Sequence, residues 1–258
     1  MDRPFIALTL AYDGAPFAGF ARQRDQTTVQ GRIEEVLQTV LRRDVETVGA
    51  GRTDTGVHAL GQVVSFESAG DEPEPAELLR SLNALAGPEI VAKQLRFARP
   101  GFSARFDAIE REYRYRIVDG PTPPLFLREV AWWNKRKLDV EAMSEASRAL
   151  IGEHDFRSFC VAESAEGKST VRAVKSVQVE RAVEAGEECL VLKIVGNAFL
   201  HSMVRVLAGT LAEVGSGRRS REWVAEVLAA RDRAAAGQTA PAHGLTMWRV
   251  SYPEDVWL

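Results

Sequence analysis

Apolar residues follow two rhythms along this chain, and the two take turns. Positions 5 to 11 alternate and run into Tyr12-Asp-Gly14, the pattern of a strand ending in a turn. Val29, Ile33, Val36, Leu37, Val40 and Leu41 then recur at helical spacing and predict a helix with one face in a core. Thr27-Thr-Val-Gln30 opens it with capping-box chemistry, the Thr27 hydroxyl and the Gln30 side chain meeting the free amides of the first turn. Strands are predicted over 62–66 and 90–97, with a helix over 75–85 between them. Pro100-Gly101 interrupts the pattern and predicts a boundary near 104, giving domains over 1–104 and 105–258.

Beyond that break, Arg111-Glu-Tyr-Arg-Tyr-Arg-Ile117 alternates as a strand, and the loop Pro121-Thr-Pro-Pro124 leads to Val130-Ala-Trp-Trp133. Asp139 is placed to cap a helix running to 150, and strands are expected over 171–179 and 189–195. Phe199, Met203, Val206, Leu207 and Leu211 share a face of a helix over 198–214. Ser220 is expected to cap a last helix, and 245–252 to close the chain as a strand. Short paired strands among helices predict an α+β fold of two domains, each with a mostly antiparallel sheet flanked by helices.

Composition narrows the class without naming a function. The chain has 258 residues, 45% hydrophobic and 27% charged, enough for one large core or two smaller ones. No apolar run reaches the roughly 18 residues that cross a bilayer, and Met1-Asp-Arg-Pro-Phe-Ile lacks the order of a signal peptide. A cytoplasmic location with no membrane partner is expected. Cys160 and Cys189 form no CxxC and have no histidine cluster nearby, so neither a metal nor a redox role is expected. No GxGxxG or P-loop supports dinucleotide or NTP chemistry.

The net charge of −3 is unevenly spread. Acidic residues crowd Gly70-Asp-Glu-Pro-Glu-Pro-Ala-Glu77 and Glu184-Ala-Gly-Glu-Glu188. Arginines gather elsewhere, at Arg22, Arg24, Arg43, Arg105, Arg111, Arg114 and Arg116. Phosphate binding needs a local basic surface, not a basic total, so a polyanionic partner is permitted.

The densest chemistry lies in Gly49-Ala-Gly-Arg-Thr-Asp-Thr-Gly-Val-His-Ala-Leu-Gly61. Four glycines in thirteen residues allow sharp turning and the close approach of a partner. Arg52 and Asp54 sit inside that glycine frame, between apolar segments. An Arg-x-Asp pair by itself is more often a solvated surface turn, and the frame shifts the reading toward a site.

Several blocks, taken in order, carry a resemblance that spans nearly the whole chain. They are Tyr12-Asp-Gly-Ala-Pro-Phe-Ala-Gly-Phe20 with Gln23, Thr28-Val-Gln30, Gly51-Arg-Thr-Asp-Thr-Gly-Val-His58 and Arg111-Glu-Tyr-Arg-Tyr115. Gly152-Glu-His-Asp-Phe-Arg-Ser-Phe159, Asn197-Ala-Phe-Leu-His-Ser-Met-Val-Arg205 and Ala240-Pro-Ala-His-Gly-Leu245 continue the series. Together they resemble the tRNA pseudouridine synthase A family. The chain departs from the family pattern at Ala21, where glutamine is frequent, and at Ser202, where a second histidine sometimes follows His201.

The resemblance implies a pseudouridine synthase fold with its active-site cleft between the two domains. It implies an isomerase that turns uridine into pseudouridine at positions 38, 39 and 40 of the tRNA anticodon stem-loop. No cofactor is called for, since the isomerisation has no redox change. The partners implied are tRNA and a second copy of the chain in a homodimer, with no small-molecule cofactor. Asp54 stands at the family's nucleophile position. A carboxylate can bond to the substrate and later depart, dividing one hard exchange into two easier steps. Arg52 and Arg205 are the candidates for keeping it ionised, and Arg52 equally fits contact with a phosphate or displacement of a base.

Tyr113 matches the tyrosine that stacks on the target base, and Leu245 the apolar wall beneath it. The target must leave its stack, so backbone contacts are needed; Arg22, Arg24, His58, Arg111 and Arg114 are candidates for them. His58 reads either as a loop-ordering partner or as an RNA contact. His154, Asp155 and His201 read as structural, His201 one turn before Arg205. Two rival readings remain at this level. One is a non-catalytic RNA-binding module with Tyr113 and Tyr115 as platforms; the other is an acid hydrolase pairing Asp54 with Asp13 or Asp155 and needing one raised carboxylate pKa.

Overall fold

The computed structural model describes residues 3–161 and 166–258. Two compact units divide the chain, one formed by residues through Arg111 with Met247–Leu258 and the other by Glu112–Thr246. The division thus differs from a single cut at 104, because the closing strand returns to the first unit.

The first unit contains β1 (Phe5–Tyr12), α1 (Val29–Leu41), β2 (Val48–Gly49), β3 (His58–Glu67), α2 (Pro75–Ala86) and β4 (Ile90–Ala98). β1 is central and pairs antiparallel on both sides, Leu8 opposite Val64 of β3 and Leu95 of β4. Its alternation places Ile6, Leu8 and Leu10 at 0% exposure. Each such side chain removed from water contributes about 1.5–3 kcal/mol. α1 buries Val29, Ile33, Val36 and Leu37, the stripe expected from spacing.

Its cap is Thr28, one residue later than expected, whose Oγ1 accepts the Gly31 N–H at 3.2 Å. Gln30 is spent elsewhere: its Oε1 accepts the Arg22 N–H and its Nε2 donates to the Thr47 carbonyl. Glu34, buried in the same helix, accepts both the N–H and the hydroxyl of Thr47 at 2.8 and 2.9 Å. α1 therefore fixes the start of β2, which pairs antiparallel with β3 through Val48–Ser65 and Gly49–Val64.

The second unit carries β5 (Glu110–Asp119, from Glu112 onward), β6 (Trp132–Asn134), α3 (Val140–Ser147), β7 (Gly152–Asp155), β8 (Val171–Glu184) and β9 (Glu187–Gly196). α4 (Met203–Gly215), α5 (Trp223–Ala230) and the first residues of β10 (Leu245–Ser251) complete it. Its strands run in the order β5-β9-β8-β7. β8 and β9 form a long antiparallel hairpin closed by Ala185-Gly186 at positive φ, and β6 adds parallel to β5. From Met247 onward β10 belongs to the first unit, beside β3.

Three expected helix starts were tested by this geometry. Asp139 caps α3 as anticipated, accepting the Ala142 N–H at 3.0 Å. α4 begins at Met203 and not at 198, because Ser202 takes a left-handed conformation at φ 58°. Ser220 offers α5 its carbonyl, which accepts the Trp223 N–H, and no side chain caps that helix. Among the described residues no helix is long and apolar enough to cross a membrane.

One carboxylate organises the turn after β3. Glu72 accepts from the Ser68 hydroxyl, the Ala69 and Gly70 amides and the Arg43 guanidinium, at 2.6, 2.6, 3.0 and 2.8 Å. Burial pushes its pKa up, but these donors outweigh it and bring the pKa down to about 2. The folded value lies below that of an unfolded glutamate, about 4.3. Its contribution is therefore complete above that value and is lost as pH falls toward about 2. Glu72→Gln should lower stability by about 1–3 kcal/mol at pH 6, with the gap to wild type closing as pH falls. Urea unfolding midpoints from pH 6 to 2.5 measure it.

Candidate active site

Asp54 lies on the loop joining β2 to β3, and that loop is tied down at several points along its length. The Ala50 N–H donates to the Val63 carbonyl at 2.8 Å. The Ala50 carbonyl accepts from Nε and Nη2 of Arg111 at 3.2 and 3.0 Å, and the Gly51 carbonyl from Gln62 Nε2 at 2.7 Å. Thr53 is held on both sides, its Oγ1 at 2.8 Å from the Tyr12 hydroxyl and its carbonyl accepting the Phe20 N–H at 3.0 Å. The Val57 N–H closes back on the Asp54 carbonyl at 3.1 Å. Asp54 itself is half-buried and Arg52 is exposed.

The loop after β1 lies directly on this one, and glycine is what permits it. A Cβ at Gly14 would stand 2.1 Å from the Val57 carbonyl oxygen. Gly19, at φ +96°, could not take a side chain without strain, and its Cβ would meet the Thr53 oxygen at 3.0 Å. His58 completes the contact. It is buried, and its Nδ1 stands 3.1 Å from both the Gly14 N–H donor and Asp13 Oδ1. These contacts are of the kind the loop-ordering reading of His58 calls for.

Arg111 changes role more sharply. It is buried, and besides Ala50 its guanidinium donates to the carbonyls of Ala108 and Arg105 at 3.2 and 2.6 Å. Arg111, a candidate RNA contact in the sequence, is thus an internal clamp on the Asp54 loop in these hydrogen bonds. The other basic candidates vary. Arg22 and Arg24 are exposed, with Arg22 3.4 Å from Glu34 and Arg24 3.7 Å from Asp25. Arg114 is half-buried and donates from Nε to Glu112 at 3.0 Å.

The remaining candidates belong to the second unit. Tyr113 is buried in β5 and meets Phe199 edge-on, with ring centroids 5.1 Å apart. Arg205, half-buried in the first turn of α4, donates from Nε to the Ala240 carbonyl at 2.9 Å, and the Ala240 N–H returns to its own carbonyl at 3.1 Å. Fully buried Tyr115 donates to the Pro241 carbonyl at 2.8 Å. Burial drives that phenol's pKa up, against the opposing charge of Arg205, so the hydroxyl stays protonated and donating. Arg205 and Tyr115 together seat 240–244, the segment that delivers buried Leu245 at the start of β10.

His154 sits on β7, Nε2 3.0 Å from the Ile151 carbonyl, while His201 is exposed. The Asp155 carboxyl lies below the usual range, chiefly through the 2.5 Å hydrogen bond from Thr170. That is the wrong direction for the protonated acid a paired-carboxylate hydrolase requires. Cys160 and Cys189 are buried thiols, and burial pushes Cys189 up to about 11. Among the described residues no group of three or more His, Cys, Asp or Glu side chains is placed to hold a metal.

Sequence reasoning missed the supports of the loop: Tyr12, Gln62 and the inward use of Arg111. A signal for Arg111 exists. It shares parity with Tyr113, Tyr115 and Ile117, the apolar face of β5. Arg111→Gln should strip two donors from Ala50 and leave buried carbonyls unsatisfied, at about 1–3 kcal/mol. Hydrogen exchange at Ala50 and across the Asp54 loop should then quicken roughly 5- to 150-fold, with the β8–β9 amides unaffected.

Comparison with known proteins agrees with this architecture. The family model described as tRNA pseudouridine synthase matches residues 9–106 and 146–253. Proteins named tRNA pseudouridine synthase A are similar over nearly the full length. The one from Brevibacillus brevis is 46% identical over 248 residues, covering 96% of this chain and 99% of its own. That from Frankia casuarinae is 45% identical over 253 residues, covering 97% and 90%, and that from Bacillus subtilis 40% over 249, covering 96% and 98%. With both blocks of the family model matched and relatives of this likeness end to end, the chain belongs to the tRNA pseudouridine synthase family.

Proposed function

We propose that this chain isomerises uridine to pseudouridine at positions 38, 39 and 40 of the tRNA anticodon stem-loop, with Asp54 as nucleophile on a flipped-out uridine. The observation that carries the reading is the half-buried Asp54 on a loop whose backbone is held by Phe20, by Gln62 and Val63 of β3 and by Arg111, and whose Thr53 side chain is held by Tyr12. A nucleophile positioned in advance spends little of the barrier on its own ordering.

The chemistry balances without a cofactor. The carboxylate bonds to the substrate, at the sugar C1′ or the base C6, and the N1–C1′ bond breaks. The detached uracil turns and C5 bonds to C1′. C5 then gives up its proton, N1 takes one, and Asp54 is released unchanged. Extruding the uridine costs a few kcal/mol of unstacking. In this account Tyr113 stacks on the uracil, Leu245 backs it, and Arg52 and Arg205 supply positive charge to the reacting carboxylate and its surroundings. Arg52 is exposed, which suits a phosphate or the emptied base position. Arg22 and Arg24 are the exposed residues that fit the RNA backbone. The working form is a homodimer in the cytoplasm.

Tritium release from tRNA transcripts labelled at C5 of uridine tests it. Wild type should release tritium from the anticodon stem-loop, and Asp54→Asn should lose at least about a thousandfold in rate while still retaining tRNA on a filter. Full release by Asp54→Asn would instead assign the chain a different nucleophile.

A further inference from the structure

Phe106 is 80% exposed, more than any other large apolar side chain among the described residues. It does not sit on a loose end. The Phe106 and Asp107 amides both return to Ser103, at 3.4 and 3.1 Å. The Asp107 carboxylate takes the Ser103 N–H at 2.7 Å and Arg99 Nη2 at 2.8 Å. The Tyr252 hydroxyl donates to the Ala104 carbonyl at 2.7 Å. An ordered turn therefore holds the ring out in water. The Arg105 guanidinium lies over the ring, its carbon 5.2 Å from the centroid.

An exposed phenyl ring with a cation over one face and the other face open matches one ligand chemistry closely. An unpaired nucleobase stacks on such a ring, and its phosphate accepts from the guanidinium. A protein partner fits less well, since a single aromatic offers about 150–250 Å² against the roughly 800 Å² per partner of a stable interface. Nearby Ile109, 51% exposed, adds little.

The clamp then places this ring relative to the reaction. Nη2 of Arg111 donates to Arg105 and to Ala50 at once, at 2.6 and 3.0 Å. Ala50 precedes Asp54 by four residues, so the backbones of Arg105 and Asp54 are within about 20 Å of each other at full extension. At about 3.4 Å per stacked nucleotide that is some six nucleotides. We propose that Arg105 and Phe106 form a stacking site for an unpaired nucleotide of the RNA substrate, a few nucleotides from the target uridine. The proposal rests on the isomerase reading above.

The test is KM for unmodified tRNA transcript, read by tritium release, with filter binding of the same transcript beside it. Phe106→Ala should raise KM and the dissociation constant about tenfold, within the range of one base–aromatic stack. Phe106→Trp should restore both and Phe106→Leu should not, because stacking needs a ring and greasiness alone does not suffice. An unchanged KM in Phe106→Ala, or equal rescue by leucine, overturns the site. A lower sedimentation coefficient for Phe106→Ala with unchanged RNA affinity assigns the ring to a contact between chains and likewise overturns it. Failure of wild type to release tritium would count against the isomerase reading alone, since filter binding still reads the stacking site.

Discussion

A single buried guanidinium decides how the rest of this site is built. The nitrogens of Arg111 are directed at the carbonyls of Ala50, Arg105 and Ala108. Peptide carbonyls in a tight loop converge without neutralising one another, and a planar cation with five donors can serve several at once. The loop that carries Asp54 can therefore leave the β2–β3 ladder, turn sharply, and still have its backbone satisfied. Lysine could not reproduce this, being a point charge without the planar fork. Gln62 extends the same logic with a neutral donor to the Gly51 carbonyl, and Tyr12 shares a hydroxyl–hydroxyl hydrogen bond with the Thr53 side chain; both come from strands and are fully or nearly buried.

The use of arginine throughout the chain follows from that division of labour. Arg116 donates to Glu184 at 2.6 Å and to Thr246 at 3.1 Å, and Arg181 forms a two-pronged pair with Asp119 at 3.0 and 3.2 Å. These residues are structural cement for the second unit, and they explain why clustering in the sequence overstates the surface available to phosphate. Among the arginines that stay exposed are Arg22, Arg24, Arg52 and Arg105. For a chain with a net charge of −3, that set is the basic surface the chemistry can draw on.

Much of the fold is legible in the sequence wherever a face is buried along a regular period. β1, α1, α2 and β4 fall close to their expected bounds because their apolar residues repeat at 2 or 3.6 and their ends carry turn or proline signals. The failures have physical causes. β2 is two residues long, and β7 is the polar run Gly-Glu-His-Asp at a sheet edge, so neither shows alternation. Phe199 sits at helical spacing from Met203 but lies before a left-handed Ser202, a conformation that spacing cannot reveal. In the site, Asp54 was legible from its glycine frame and family blocks. Its supports were not, since donors aimed at carbonyls leave no partner residue type to search for. Only the parity of Arg111 within β5 carried a trace.

The central claim is that this held loop presents Asp54 as the group that bonds to the substrate. Mass spectrometry of the enzyme after reaction with tRNA containing 5-fluorouridine, which cannot lose a proton from C5, tests it most directly. The account predicts a covalent RNA adduct on the peptide bearing Asp54, absent from Asp54→Asn. An adduct mapped to any other residue, formed equally well by Asp54→Asn, would contradict it.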